Sequence, residues 1–343
     1  MHKFVLILVG LLTTSVGAQI GGRATFQFLN LVTSPRQAAL GGRIITNYDY
    51  DPDTAIYNPA TINIQQDNQL SVNYVNFLAD INYGTASYAY LWDRRTQVIH
   101  ASISYINFGQ FDGRDEQGNS TGDFTGQEAS LSVGYAYSIP KTDFHVGANV
   151  KFITSQLEQF NSIGAAVDLG FLYNYEKWDL NIAAVVRNLG TQFTTFAGVR
   201  EPLPLEVNVG ISQIPLNVPL RWHLTLENLQ DFNLAFENPA LAEVDLDGNP
   251  NPEGVGVLDE LIRHVILGVE LFPKGAFNLR LGYNFRRSFE LRVPNQRTFA
   301  GISAGFGLKF GKWRFNYAFS RFSPAGNSNL IGLNIDLAKG KKF

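Results

Sequence analysis

The stretch SLSVGYAYSI, Ser130 to Ile139, decides the fold. Leu131, Val133, Tyr135, Tyr137 and Ile139 alternate with Ser130, Ser132, Gly134, Ala136 and Ser138. Successive side chains of an extended strand point to opposite faces of the sheet, so this segment has one bulky apolar face and one small polar face. The same period of two runs through most of the chain. Phe277, Leu279, Leu281, Tyr283 and Phe285 alternate with Asn278, Arg280, Gly282, Asn284 and Arg286. Ala304, Phe306, Leu308 and Phe310 alternate with Ser303, Gly305, Gly307 and Lys309. A strand with lipid on one side and a polar lumen on the other reads this way.

Such segments fall at 69–78, 83–92, 96–108, 126–139, 143–155, 161–175, 178–188, 203–213, 219–229, 263–272, 276–287, 299–310, 312–322 and 328–338. That is an even set of fourteen, as outer-membrane barrels require. The connections alternate in length. Asp93–Arg95, Pro140–Thr142, Glu176–Lys177, Ile214–Val218, Pro273–Gly275 and Gly311 are short. The other set holds long loops at 109–125, 189–202, 230–262 and 288–298. Short turns on one side and long loops on the other is the asymmetry of an outer-membrane barrel, and a soluble sandwich has no reason to obey it. Trp92, Tyr175, Trp178, Phe272, Trp313 and Phe322 lie near strand ends, where interfacial aromatics belong.

The N-terminus supports export. Lys3 precedes an apolar run, Phe4 to Leu12, followed by the small-residue site Val16-Gly17-Ala18, which is the layout of a signal peptide over 1–18. No other stretch is long and apolar enough for a spanning helix. The chain has 343 residues, no Cys, one Met and a formal net charge of −3. An exported chain without Cys has no disulfides and relies on sheet hydrogen bonding and packing. The absence of a basic block gives no support to a nucleic-acid partner.

Between the signal and the first strand lies SPRQAALGGRIITNYDYDPDTAIYNPA, Ser34 to Ala60. Gly41 and Gly42 permit backbone that other residues avoid, and Asn58-Pro59 marks a turn. A segment this punctuated builds no spanning strand. The reading is an N-terminal hatch, 19–68, folded into the lumen of a barrel, 69–343. Inward charges Glu206, Arg221, Glu227, Glu270, Arg280 and Lys309 are expected to pair there with Arg36, Arg43, Asp51 and Asp53, because buried charges must be paired. An ion or solute path is the functional alternative.

Catalytic chemistry is sparse. His2, His100, His145, His223 and His264 have no metal spacing. Ser138-Ile139-Pro140-Lys141 spells S-x-x-K, but across a strand end and a proline rather than at a helix start. Asp245-Leu-Asp247-Gly-Asn249 opens like a calcium loop, yet Pro250 and Gly256 stand where Gly and Glu are needed. No catalytic, cofactor or metal residue is assigned, and the chain is read as a non-enzyme. The loops supply the partner candidates: Phe111, Asp115, Glu116 and Phe124 in one, and Val257, Leu258, Leu261 and Ile262 on a short amphipathic helix in another.

Several motifs resemble one family. FLNLVTSPRQAALGG at Phe28 to Gly42, with Ala39, Leu40, Gly41 and Gly42 at its end, and Asn58-Pro59-Ala60 after Tyr57 are similar to the hatch of the FadL superfamily, and more closely to its PorV/PorQ branch. GQFDGRDEQGNSTGDF at Gly109 to Phe124 and the Asn188-Leu189-Gly190 triplet resemble PorQ. The resemblance implies an all-β, fourteen-stranded antiparallel transmembrane barrel with a hatch in the lumen. It further implies a non-enzymatic outer-membrane component of the type IX secretion system, needing no cofactor. Its implied partners are outer-membrane lipid and a PorZ-like surface protein with PorU and PorV-like components. The alternatives are a FadL-like transporter of hydrophobic small molecules, a PorV-like shuttle for secreted cargo domains, or a general diffusion porin.

Overall fold

The computed structural model describes residues 24–77, 80–93, 97–196, 198–234, 243–244, 250–251, 256–291, 299–323 and 326–338. The signal-peptide assignment, the calcium-like Asp245–Asn249 and most of the 288–298 loop lie outside these residues.

Fourteen antiparallel strands close into one barrel. They are β1 (Gln69–Asn76), β2 (Asn82–Asp93), β3 (Gln97–Arg114), β4 (Ser120–Ser138), β5 (Phe144–Leu157), β6 (Phe160–Tyr175), β7 (Leu180–Thr194), β8 (Glu206–Gln213), β9 (Leu220–Leu226), β10 (Val265–Leu271), β11 (Phe277–Asn284), β12 (Ile302–Phe310), β13 (Trp313–Ser323) and β14 (Gly326–Asp336). Each pairs with the next, and β14 closes on β1 with Gln69 opposite Asp336 and Asn76 opposite Asn329. Burial is inverted relative to a water-soluble sheet. Leu131, Val133 and Tyr135 are exposed, while Ser130, Ser132 and Ala136 are buried. Apolar residues outside and polar residues inside define a barrel whose solvent is lipid.

Three expectations need correction. The segment 109–125 is mostly strand: β3 and β4 continue as a hairpin with Phe111 opposite Phe124, and only a tight turn around Asp115 remains. Its alternation was hidden because both faces are polar once the hairpin leaves lipid. The first residues of the 189–202 loop likewise belong to β7. Conversely, 276–287 does not stay extended. The Asn284 side chain accepts a hydrogen bond from Arg287 N and starts a short helix over Phe285–Glu290.

The lumen is filled by residues 25–66. Helix α1 (Pro35–Ala39) packs against β11 to β14, and a 3-10 turn at Pro59–Thr61 packs against β4 to β6. Wall glycines make room for hatch backbone. A Cβ on Gly282 would lie 2.0 Å from Gly41 N, and one on Gly147 would lie 2.4 Å from the Pro59 carbonyl. Gly41 itself has φ +99°, which only glycine adopts cheaply. The chain enters at the long-loop end, where Thr25 N donates to Pro202 O, and leaves at the short-turn end, where Gln69 begins β1.

Lipid as the outer solvent sets a measurable cost. Val133→Arg, at mid-height on the outer face, is expected to lose about 2–4 kcal/mol of folding stability in bilayers. Val257→Arg, on an exposed loop helix, should leave it nearly unchanged. Equilibrium refolding into lipid vesicles reads both.

Candidate functional site

The lumen carries the main concentration of buried charge, in three groups. The first surrounds Arg36 on α1. Its Nη1 and Nη2 donate to the two carboxylate oxygens of Asp49, both at 2.7 Å, and Nη2 also reaches Glu270 Oε2 at 3.0 Å. Asp51 Oδ2 lies 3.6 Å away. Glu270 on β10 faces Arg280 on β11 and Arg221 on β9 in register, at 2.8 and 3.6 Å. Arg221 also binds Asp49 at 2.8 Å. Three guanidiniums thus meet three carboxylates. Burial alone would raise the Asp49 pKa, but Arg36 and Arg221 hold it well below the usual carboxylate range.

The second group joins the hatch to β7, β8 and the end of β9. Arg43 contacts Glu206 at 2.5 Å and Glu227 at 2.9 Å, and Arg187 contacts Glu206 at 2.5 Å. Arg187 Nη2 also donates to Leu29 O, so one wall residue ties down the first described turn of the chain. The third group is Lys151 on β5 with Asp168 on β6, at 2.7 Å. Asn188 completes it: its backbone N–H donates to Asp168, its side-chain oxygen accepts from Lys151, and its amide group donates to Asn30 and to Pro204 O. Asn188 has φ +58°, a left-handed conformation that asparagine tolerates better than most residues.

Two expected members behave differently. Among the described residues Asp53 has no cation partner. Ser71 and Ser87 donate to it at 2.6 Å and Asn73 at 2.7 Å, all from β1 and β2. Neutral donors satisfy the oxygens without cancelling the charge. Burial, with Asp51 close by, therefore pushes the Asp53 pKa up to about 7. Lys309 is not in the network at all. It is exposed at the short-turn end, where the lumen meets water and no partner is required.

The hatch motif fixes the plug by backbone contacts. Leu40 is fully buried, and Arg287 donates to Gly41 O. Asn58 accepts from Ala60 N at 3.0 Å and donates to Ile45 O at 2.9 Å, which sets the Asn58-Pro59-Ala60 turn against Gly147 and Gly170. Above the charges, Phe26, Phe28, Leu29 and Val32 fill an apolar compartment lined by Val75, Tyr83, Ile106, Ile153 and Leu330.

The loop candidates lie apart from the lumen. Phe111 and Phe124 stack across the hairpin at 5.2 Å between ring centres and remain exposed. Asp115 caps the tight turn, and Glu116 points to solvent. Val257, Leu258 and Leu261 are exposed on a helix over Val257–Arg263, whereas Ile262 is half-buried. Asp49, Lys151, Asp168, Arg187 and Arg287 are lumen residues that the sequence reading did not single out, and Asn188 entered it only as part of the Asn188-Leu189-Gly190 motif. No metal-ligand cluster occurs among the described residues, and no helix there is long and apolar enough to cross a membrane.

Two of the solved outer-membrane proteins that this barrel is similar to share most of its length. One is a deltaS2 mutant of the TodX monoaromatic hydrocarbon channel, with TM-score 0.52 and 13% identity over 85% of this chain and 94% of that one. The other is a FadL homologue of Pseudomonas aeruginosa, with TM-score 0.50 and 10% identity over 89% and 98%. The likeness places the fold among FadL-like fourteen-stranded barrels. No family model matches the sequence, and no curated protein matches it.

Removing one member of the first charge group strands the others. Arg36→Met is expected to cost about 3–5 kcal/mol, read as an earlier loss of heat-modifiability or a lower urea midpoint. Asp53 gives a pH signature. Its folded pKa is raised, so its contribution favours the folded state below pH about 4 and is lost as pH rises through about 7. Asp53→Asn should flatten the decline of stability across that window, while leaving the opposite trend from Asp49, lost as pH falls, in place.

Proposed function

We propose that this chain is an outer-membrane barrel with a closed lumen, which anchors a partner at the cell surface through its long-loop face. The role is non-enzymatic. The observation that carries it is the contrast between the two ends of the site. The lumen is shut by ion pairs and close backbone contacts, while Val257, Leu258 and Leu261 stay exposed on the loop face. Exposed apolar side chains on one short helix suit a protein contact. The hatch and hairpin motifs give the finer assignment. The reading is a PorQ-like component of the type IX secretion system, holding a PorZ-like surface protein in an attachment complex with PorU and PorV-like members.

A second reading is favoured by the fold likeness to a hydrocarbon channel and a FadL homologue: uptake of hydrophobic small molecules. Against it stands the apolar compartment of the lumen, already filled by Phe26, Phe28, Leu29 and Val32.

The test uses a tagged full-length chain extracted from native outer membranes in mild detergent. The double variant Leu258→Glu/Leu261→Glu is expected to keep a heat-modifiable barrel and to lose the co-purifying surface protein. Unchanged partner recovery would exclude this helix as the contact. Purified barrel should be silent in planar bilayers and free of bound lipid-like molecules. Steady conductance would point to a porin, and bound apolar solute to the transporter.

A further inference from the structure

The short-turn end of the barrel holds a cavity of about 730 Å³, within the size range of small-molecule sites. Its floor is the hatch segment Tyr48-Asp49-Tyr50, and its rim comes from turns between strands. Several of its lining charges are already matched: Lys274 pairs with Asp179 at 3.1 Å, Arg221 with Asp49 at 2.8 Å, and Lys312 lies across from Asp336. Lys309 on β12 and Arg314 on β13 sit directly opposite each other in register, and both line the cavity. Like charges in that position repel. Arg314 is held by the Tyr50 ring, 3.9 Å from its guanidinium, and by Asn278. Lys309 has no ion-pair or hydrogen-bond partner for its ammonium group among the described residues. Glu176, in the turn between β6 and β7, also lines the cavity, and it too lacks a cation partner. Barrel order places that turn nearly opposite the β12–β13 turn.

Amides also line the cavity: Gln65 from the hatch, and Asn174 and Asn181, which pair across β6 and β7 beside the Glu176 turn, and the Asn181 side-chain oxygen is buried without a donor among the described residues. Amide side chains donate and accept as peptide groups do. We infer that this cavity binds a short free peptide, its carboxylate at Lys309 and Arg314, its amine at Glu176, and its backbone along the amides. The site faces away from the long loops, so it stands or falls independently of the anchoring role.

Isothermal titration of the purified full-length barrel with trialanine, trialanine amide and N-acetyl-trialanine tests this. Trialanine is expected to bind saturably. Removing its carboxylate, or Lys309→Gln, should each weaken binding roughly fivefold, with no further loss when combined. Acetylation and Glu176→Gln should behave as the same kind of pair. Both side chains are exposed, and heat-modifiability reports that each variant is folded. Absence of saturable trialanine binding would overturn the site. Equal affinity for all three peptides, or competition by acetate as strong as by trialanine, would overturn the free-peptide assignment.

Discussion

Arg36 is the contact on which the plugged state depends. It sits on a helix of five residues, too short to be stable alone. Its position is imposed by the wall, through Glu270, and by its own segment, through Asp49. The wall half of the site is set without the hatch, because strand register alone puts Arg221 and Arg280 on either side of Glu270. Without the hatch that wall carries two arginines for one carboxylate. The hatch brings one guanidinium and the Asp49 and Asp51 carboxylates, and the group becomes balanced. An excess of positive charge in a low-dielectric lumen is costly, so neutralisation pulls the hatch in and holds it.

Charge balance alone would tolerate a loose plug. The glycines remove that freedom. Gly282, Gly147 and Gly268 place bare strand backbone against the backbone of Gly41, Pro59 and Leu40, at separations that any side chain would block. Hatch and wall therefore meet backbone to backbone at several points around the lumen. Between these points the ion pairs lie in strand order, with Arg36 near β10, Arg43 near β8 and β9, and Lys151 linking β5 to β6. A plug fixed at both kinds of contact cannot slide without breaking buried ion pairs.

The exterior and the strand count were legible because lipid imposes one rule on every strand. The rule lapses outside the bilayer, which is why the β3–β4 extension read as a loop. The charge network was half legible. Asp49 shares the two-residue spacing of Asp51 and Asp53 in NYDYDPD, so period-2 reasoning applied to the hatch would have found it. Lys151, Asp168 and Arg187 are single charges at inward positions of otherwise apolar or small-residue strands. Their partners follow only from register, which depends on how far each hairpin extends. Lys309 failed for the converse reason: parity gives the face of a residue but not its height, and near the mouth an inward charge needs no partner. Asp53 shows a further limit, since spacing cannot tell a cation from three neutral donors.

The vertical order of the lumen bears on what the barrel can do. At the long-loop end the chain's own Phe26, Phe28, Leu29 and Val32 occupy the apolar compartment. Below them come the ion pairs, and below those the polar cavity. An apolar solute following the axis would have to displace the first layer and then cross a belt of guanidiniums and carboxylates. Each step raises its free energy, because it loses apolar contact and leaves buried charges unpaired. The proposed anchor would need no route, only a wall that keeps its shape, and β8 to β11, seven or eight residues long, are the longest run of short strands in that wall. Glu206, Arg221 and Glu270, the wall charges that grip the hatch, lie on these short strands, so the plug braces the barrel where its own hydrogen-bonded ladder is least extensive.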